Sequence, residues 1–270
     1  MTATRPYHHG DLRAALVDAA LEVTRAGGPS ALGLRDVTRR VGVSANAAYR
    51  HFADRQALLD AVGAEIFDRL GREMSAPPAA AAPAAAATAS ATIAAPATIA
   101  APATAAASAT ATASATATAS ATATASATAT ASATATASAT VAVERLRAVG
   151  RGYIGFARSE PGWFSVVFFG GATPRDLDSA PPPPYLALRD ALDGLVSAGV
   201  LNAERRDGAQ WLCWAAVHGF AELVLHGPLH DAPADEVDRL AERTVDAIIA
   251  GVIEPLDTVR SPNLPDRQNG

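Results

Sequence analysis

A group of side chains able to recognise DNA follows a short Gly-Val-Ser sequence at residues 42–44. Asn46 carries an amide that can pair with adenine, and Arg50 carries a guanidinium that can pair with guanine. Tyr49 and His51 stand beside them and can reach phosphate groups. These residue types at this spacing predict contact with both the bases and the backbone of a duplex.

The charge around this group supports the same chemistry. Residues 35–55 contain five arginines against two aspartates, with a histidine beside them. The whole chain of 270 residues has a net charge of −5, which argues against indiscriminate binding of nucleic acid. The positive charge is therefore confined to one segment.

Such side chains need a helix, a tight turn and a second helix to position them. Residues 34–41 predict a short amphipathic helix that ends at Gly42, and Ser44 is a typical N-cap for a helix over about 45–51. The inward stripe of this second helix then leaves the other side chains facing out; the stripe is Ala45, Ala48 and Phe52. We expect DNA contacts from Ser44, Ala45, Asn46, Ala47, Tyr49, Arg50, His51, Arg55, Arg39 and Arg35.

Some of these expectations have alternatives. Arg39 and its neighbour Arg40 can form a merely solvated face instead of contacting phosphate. Tyr49 can pack its ring against the following helix while its hydroxyl still reaches phosphate. For His8 and His9 the alternative is a metal-binding pair, and the favoured interpretation is a flexible arm near the DNA backbone.

Helical periodicity extends through most of the remaining chain, and no segment predicts a convincing strand. A first helix is expected over about 11–26, and Asp54 caps a fourth. Five more helices follow residue 140, the eighth over about 204–226 and the ninth over 235–253. The expected fold is all-α, with an N-terminal three-helix helix-turn-helix domain and a helical C-terminal domain.

A low-complexity segment separates these two parts. Residues 75–140 are rich in alanine, threonine, serine and proline, and the hexapeptide ATATAS occurs five times from Ala109 to Ser138. A helix or a strand is an alternative, but the segment has too few large side chains to build a core, so disorder is expected. We expect domain boundaries at 1–74, 75–140 and 141–256, with a disordered tail over 257–270.

The N-terminal part resembles the DNA-binding domain of the TetR family of bacterial transcriptional regulators. The resemblance is carried by Leu34-Arg35-Asp36-Val37, by Gly42-Val43-Ser44 and by Tyr49-Arg50-His51-Phe52. This sequence departs from the family pattern at Gly33, where a Ser or Thr cap is usual, and at Arg55, where a phosphate-binding Lys is common. The resemblance implies a homodimer that places its third helices in a near-palindromic operator of double-stranded DNA.

The C-terminal part is similar to one ligand-binding subgroup of that family. The segment from Trp214 through His218 and Gly219 resembles its Trp-His-Gly signature. The resemblance implies a dimer interface on helices 8 and 9 and a pocket for a small-molecule effector. Ligand contacts are expected from Trp163, Phe164, Phe168, Trp211, Trp214, His218 and Glu222. Simple core packing is the alternative for the aromatic residues among them.

Metal and cofactor chemistry are not expected. His218, Glu222 and His226 have helical spacing, but histidines eight residues apart on a helix lie about 12 Å from each other, too far for one ion. A polar pair of His218 and Glu222 is the simpler interpretation. The single cysteine, Cys213, is expected to be a buried, inert thiol. No metal and no cofactor is therefore predicted.

The remaining sequence features limit the function classes. One cysteine excludes an internal disulfide framework, and neither a signal peptide nor a long apolar segment is evident, so a cytoplasmic protein without a membrane partner is expected. A Gly-rich phosphate loop, an HExxH motif and a nucleophile elbow are absent, which argues against an enzyme. The expected function is a transcriptional repressor released by an effector; the alternative is a non-specific architectural DNA-binding protein.

Overall fold

The computed structural model of this protein describes residues 12–76, 108–171 and 180–254. His8, His9 and the tail predicted over 257–270 lie outside these ranges. The described chain forms α-helices and two 3-10 helices, Pro29–Ala31 and Ala203–Arg205, and it contains no strand in those ranges, as the sequence predicts. The α-helices are α1 Leu12–Gly27, α2 Leu34–Val41, α3 Ala45–Tyr49, α4 Arg55–Ser75, α5 Ser108–Ser159, α6 Pro161–Phe169, α7 Pro183–Ser197, α8 Ala209–Leu225 and α9 Ala234–Ile253.

Local signals place the first four helices. Gly42 ends α2 in the left-handed conformation, with φ of 77°, which favours glycine because a side chain would be strained there. The hydroxyl of Ser44 accepts a hydrogen bond from the Ala47 amide at 3.3 Å, and the carboxylate of Asp54 accepts one from the Ala57 amide at 2.8 Å. Both predicted N-caps are confirmed.

Two helix boundaries differ from the sequence prediction. α3 ends at Tyr49 and not at residue 51, because the chain turns there to bury Phe52 against the core. α8 begins at Ala209 and not near residue 204, because Gly208 is left-handed with φ of 76° and separates α8 from the preceding 3-10 helix.

α5 differs most from expectation. It extends over 52 residues from Ser108, whereas the composition predicts disorder through residue 140; residues 77–107 lie outside the described ranges. Alanine has the best helix propensity, and adding turns to an existing helix costs less than starting one. The hydroxyl of Thr136 donates to the Ser132 carbonyl at 2.9 Å, and that of Thr140 to the Thr136 carbonyl at 3.0 Å. Threonine therefore satisfies its hydroxyl within the helix.

The longest buried stripe of the N-terminal part lies on α4. Its first half buries Leu58, Leu59 and Val62 in a core that also contains side chains of α1, α2 and α3. Its second half packs against α5 and α7 through two glycines. A Cβ added to Gly71 would lie 2.5 Å from the Pro183 Cβ, and one added to Gly152 of α5 would lie 3.0 Å from the Met74 Cα. The buried side chains of α4 thus join the N-terminal and C-terminal helices in one continuous core.

A second contact joins α1 to the start of α6. The indole Nε1 of Trp163 donates to the Leu21 carbonyl at 2.9 Å, while the guanidinium groups of Arg25 and Arg69 lie over its ring. A Cβ on Gly162 would lie 2.5 Å from the Thr24 carbonyl oxygen. The backbones of α1 and α6 are therefore in direct contact.

α9 is held along α5 by ion pairs. Arg147 pairs with Asp246 at 2.9 Å, Arg151 with Glu242, and Arg158 with Asp238. The two helices approach closely at Gly150, whose added Cβ would lie 3.1 Å from a methyl group of Val245. No helix of the described ranges is long and apolar enough to span a membrane.

Candidate nucleic-acid interface and internal cavity

The candidate nucleic-acid surface is the outer face of α3 with the residues that follow it. Ala48 and Phe52 anchor this segment, with exposed fractions of 0% and 3%. Because these two side chains face the core, Asn46, Tyr49 and Arg50 project to solvent; Tyr49 is 55% exposed. His51 and Ser44 are exposed on the same surface, while Ala45 and Ala47 are half-buried. The structure thus brings together the side chains predicted to contact bases.

Arginines of α2 flank this surface. Arg35 and Arg39 are exposed, and Arg39 forms an ion pair with Asp36 at 2.6 Å. Arg40 lies 3.9 Å from Glu22 of α1. Exposed pairs of this kind are weak in water, so a phosphate group can compete with the carboxylate for Arg39.

Arg55 has a different environment from the other predicted DNA contacts. Its Nε donates to the Leu32 carbonyl at 2.8 Å, and an Nη group donates to the Pro29 carbonyl. The guanidinium therefore joins the start of α4 to the 3-10 helix between α1 and α2. The backbone carbonyls of this loop are a partner that the sequence prediction of a phosphate contact did not include.

An apolar cavity lies inside the C-terminal part, where α4, α5, α7, α8 and α9 meet. Its empty space, part of it open to solvent, is about 480 Å³. The lining residues are Met74, Leu146, Val149, Gly150, Tyr153, Pro184, Leu188, Cys213, Trp214, Val217, Val245, Ile248 and Ile249. A cavity lined mainly by apolar side chains with a few polar groups is a typical site for small molecules.

Of the residues predicted to bind a ligand, Trp214 is the one that lines this cavity in the described part of the chain. Phe164, Phe168 and His218 lie together next to the cavity residue Tyr153. Trp163 faces α1, as described above, and Trp211 is 51% exposed beside Trp214.

The aromatic cluster surrounds the imidazole of His218. The hydroxyl of Tyr153 and the Nδ1 atom of His218 are 2.8 Å apart, and the rings of Phe168 and Phe164 lie 5.0 and 5.6 Å from the imidazole. Burial raises the pKa of the Tyr153 hydroxyl well above its ordinary value. Burial also lowers the pKa of His218, although the charge of Glu222 acts in the opposite direction.

Glu222 pairs with His226 and not with His218. Its Oε2 atom lies 3.1 Å from Nδ1 of His226. Its Oε1 atom is buried and has no hydrogen-bond partner among the residues that the structure describes. The expected polar pair of His218 and Glu222 is therefore replaced by two separate pairs, and no cluster of metal-binding side chains occurs in the described ranges.

Sequence reasoning missed most of the cavity wall. Met74, Val149, Leu188 and Ile249 have the apolar character and helical spacing of ordinary core residues, so no pattern distinguishes them. Cys213 is buried, as predicted, and desolvation raises the pKa of its thiol to about 11. Tyr153 is the residue of the predicted fifth helix that could have indicated the cavity, because a buried hydroxyl requires a hydrogen-bond partner.

α8 and α9 present an apolar face to solvent. Leu212 and Leu223 of α8 are 58% and 43% exposed, and a Cβ on Gly219 between them would meet nothing within 4 Å. Ala247 and Ala250 of α9 are exposed as well. The sequence prediction places the dimer interface on these two helices.

Two family models match the chain. One described as "Bacterial regulatory proteins, tetR family" matches residues 16–62, and one described as "Tetracyclin repressor-like, C-terminal domain" matches residues 146–248. Together they match more than half of the chain. No curated protein matches it.

Two solved structures are similar to this chain. A protein of unknown function from Rhodococcus sp. RHA1 shares the fold: it is 21% identical, with a TM-score of 0.54 over 93% of this chain and 100% of its own. A variant of TetR from Acinetobacter baumannii AYE, in complex with minocycline, is 13% identical, with a TM-score of 0.45 over 88% of this chain and 94% of its own.

The family matches follow the order of the structure. The first covers the core beneath the exposed face of α3, and the second covers most of the cavity wall, from α5 to α9, but not α4. The chain belongs to the TetR family of DNA-binding transcriptional regulators.

Proposed function

We propose that this regulator is a repressor that occupies a near-palindromic operator until a small-molecule effector releases it. The observation that carries the proposal is the exposed row of Asn46, Tyr49 and Arg50 above the buried Ala48 and Phe52. A helix anchored in this way can enter the major groove with its amide, hydroxyl and guanidinium groups directed at the duplex. Because the operator is chromosomal DNA, we place the protein in the cytoplasm.

Dimerisation follows from the exposed face of α8 and α9. Leu212 and Leu223 are large apolar side chains in contact with solvent, and Gly219, Ala247 and Ala250 allow another helix to approach closely. Packing the same face of a second copy against it would bury these leucines in a four-helix interface. Two copies of α3 would then face successive major grooves.

Release requires that the effector prefer a conformation with poor operator affinity. α4 supports this proposal because Met74, in its last turn, lines the cavity, while Leu58 and Leu59, in its first turn, belong to the core beneath α3. The position of Trp214 at the cavity and of His218 beside it supports membership of the Trp-His-Gly subgroup.

The test is fluorescence-anisotropy binding to duplexes that tile the DNA upstream of the gene for this protein, over a salt series. We expect saturable binding to one near-palindrome, with an affinity about 10³-fold or more above that for other duplexes. The variants Arg50→Ala and Tyr49→Phe should bind more weakly. Arg72→Ala removes one exposed charge in the second half of α4 and serves as the matched control.

Equal, weak binding to every duplex would contradict the proposal and favour an architectural DNA-binding protein. Sedimentation of Leu223→Asp beside Leu186→Asp tests the interface separately, because both leucines are exposed and Leu186 lies on α7. Dimers of both variants in equal amounts would contradict an interface on α8 and α9.

A further inference from the structure

The walls of the cavity are almost entirely hydrocarbon. Leu146 and Val149 of α5, Leu188 of α7, Val217 of α8 and Ile249 of α9 face it from different sides. A ligand that fills such a space gains free energy by removing apolar surface from water. Shape and hydrocarbon content must therefore provide most of the affinity.

The lining residues of the described chain include neither an arginine nor a carboxylate. Their two ionisable groups are Tyr153 and Cys213, and burial raises the pKa of both, that of the thiol to about 11. Both groups are therefore neutral at physiological pH. A charged ligand would lose its hydration shell in the cavity without meeting a group of opposite charge, which is strongly unfavourable.

The polar groups of the wall are the hydroxyl of Tyr153, the indole N–H of Trp214 and the thiol of Cys213, and the hydroxyl is the one considered as an acceptor for a ligand. Its oxygen lies 2.8 Å from Nδ1 of His218, and burial keeps this imidazole neutral by lowering its pKa. In the tautomer with Nδ1 unprotonated, the imidazole accepts the phenolic proton. The indole of Trp214 also donates to the phenolic oxygen, which keeps one lone pair for a further donor. One ligand O–H or N–H group can therefore be bound there.

We propose that the cavity binds a compact, uncharged, lipophilic molecule with one hydroxyl or N–H donor directed at Tyr153, and that it discriminates against carboxylates and ammonium compounds. The idea that such a ligand acts as the effector rests on the proposed function. As effector, the ligand would contact Met74 in the last turn of α4. Its binding would therefore act on α4 directly, with no other helix in between.

Binding is tested on the purified full-length protein without DNA, using the neutral dye N-phenyl-1-naphthylamine, whose fluorescence rises in apolar sites. Two variants of α7 form a matched pair. Leu188→Trp fills the cavity, whereas Leu186→Trp adds the same side chain at a residue that is 41% exposed. We expect dye affinity to fall about ten-fold or more in Leu188→Trp and to stay unchanged in Leu186→Trp, because the new indole at position 188 takes the space that the dye needs. A thermal melt of each variant shows whether it is folded.

The chemical class is tested on the unmodified protein by displacing the dye with 1-octanol, octanoate and octylammonium, which share one alkyl chain. We expect 1-octanol to displace it at concentrations about ten-fold or more below those of either ion. Tyr153→Phe removes only the hydroxyl and should weaken 1-octanol several-fold. The dye also carries one N–H group, so its own affinity for this variant is titrated first and used to correct the displacement values.

If octanoate or octylammonium displaced the dye as well as 1-octanol does, the proposed ligand class would be wrong. If a folded Leu188→Trp variant bound the dye as tightly as the wild type, the proposed site would be wrong. Because these measurements contain no DNA, a negative result would contradict the ligand proposal without contradicting the repressor proposal. Operator release by 1-octanol is measured separately by anisotropy. Dye binding without operator release would contradict the proposed effector role and leave the ligand class standing.

Discussion

Glu160, which precedes α6, accepts two hydrogen bonds from the guanidinium of Arg25 in α1, one of them from Nε at 2.6 Å. The two residues are 135 positions apart in the chain. The carboxylate is nearly buried while the arginine is mostly exposed, and hydrogen bonding to Glu160 raises the pKa of Arg25. This bidentate pair joins the DNA-binding part directly to the start of the helix beside the aromatic cluster.

Replacing Glu160 should therefore weaken the contact between the two parts. Glu160→Gln keeps the shape but removes the charge, so the midpoint of urea unfolding should fall. The loss should be larger in low salt than in high salt, because Arg25 is open to solvent. Asp36→Asn, which removes the carboxylate of the exposed pair with Arg39 within α2, is the control. An equal loss in both variants would contradict this assignment.

Replacing glycine by alanine should change the free energy of unfolding in opposite directions at Gly162 and Gly155. A Cβ at Gly162 would overlap the carbonyl oxygens of Thr24 and Arg25, so Gly162→Ala should lower the free energy of unfolding by about 2 kcal/mol or more. Gly155 is exposed within α5 and has nothing within 4 Å, so Gly155→Ala should raise it by about 0.5–1 kcal/mol. Denaturant titration measures both, and a stabilised Gly162→Ala would show that α1 and α6 are not in close contact.

Trp163 should contribute to stability and not to ligand binding. Trp163→Phe removes the indole donor of the Leu21 carbonyl, which still accepts from the Thr24 hydroxyl at 3.2 Å, so the loss should be about 0.5–1.5 kcal/mol. Affinity for N-phenyl-1-naphthylamine should stay unchanged, because Trp163 does not line the cavity. Trp214→Phe is the comparison at the cavity wall. If Trp163→Phe lowered dye affinity as much as Trp214→Phe does, the cavity assignment would be wrong.

Arg50 and Arg55 should differ in the salt dependence of operator binding. Arg50→Ala should reduce the affinity for the operator. A guanidinium that contacts phosphate also contributes to the slope of log affinity against log salt concentration, so the magnitude of this slope should fall by about 1. Arg55→Gln should lower the thermal midpoint, because the Leu32 and Pro29 carbonyls lose their partner, and should leave the slope unchanged. A reduced slope with an unchanged midpoint in Arg55→Gln would assign that residue to the DNA backbone.

His218 should make the protein sensitive to mild acid. Burial lowers its folded pKa below the unfolded value of about 6.5, so the unfolded chain binds the proton more readily. The neutral imidazole of His218 therefore contributes its full stabilisation above the unfolded pKa of about 6.5, and this stabilisation is lost as the pH falls below that pKa. Between pH 7 and 5, unfolding free energy should drop more in the wild type than in His218→Gln. His230→Gln, at an exposed residue of a loop, should follow the wild type.

The helix-turn-helix surface could be predicted because short-range rules determine it. Gly42, Ser44 and Asp54 fix the ends of their helices by local geometry, and Ala48 with Phe52 defines the inward side of α3. The directions of the exposed side chains follow from these positions alone. No distant contact is needed to place them.

The cavity could not be predicted because long-range packing determines it. Trp163 and Phe164 are adjacent, yet one bonds to a carbonyl of α1 and the other packs beside His218. The sequence shows both as aromatic residues of the same helix. Likewise, Leu188 at the cavity and Leu192 in the packed core lie one turn apart on α7, and only the arrangement of the neighbouring helices distinguishes them.

The ion pairs between α5 and α9 do not by themselves determine how far α9 is shifted along α5. The carboxylates at 238, 242 and 246 repeat every four residues, so a slide of one helical turn would bring Arg147 opposite Glu242 and Arg151 opposite Asp238. The notch at Gly150, which receives Val245, favours the observed register because a slide would remove Val245 from it. The inner side of α9 bounds the cavity, so a larger residue at position 150 would change the shape of the cavity without altering any charge.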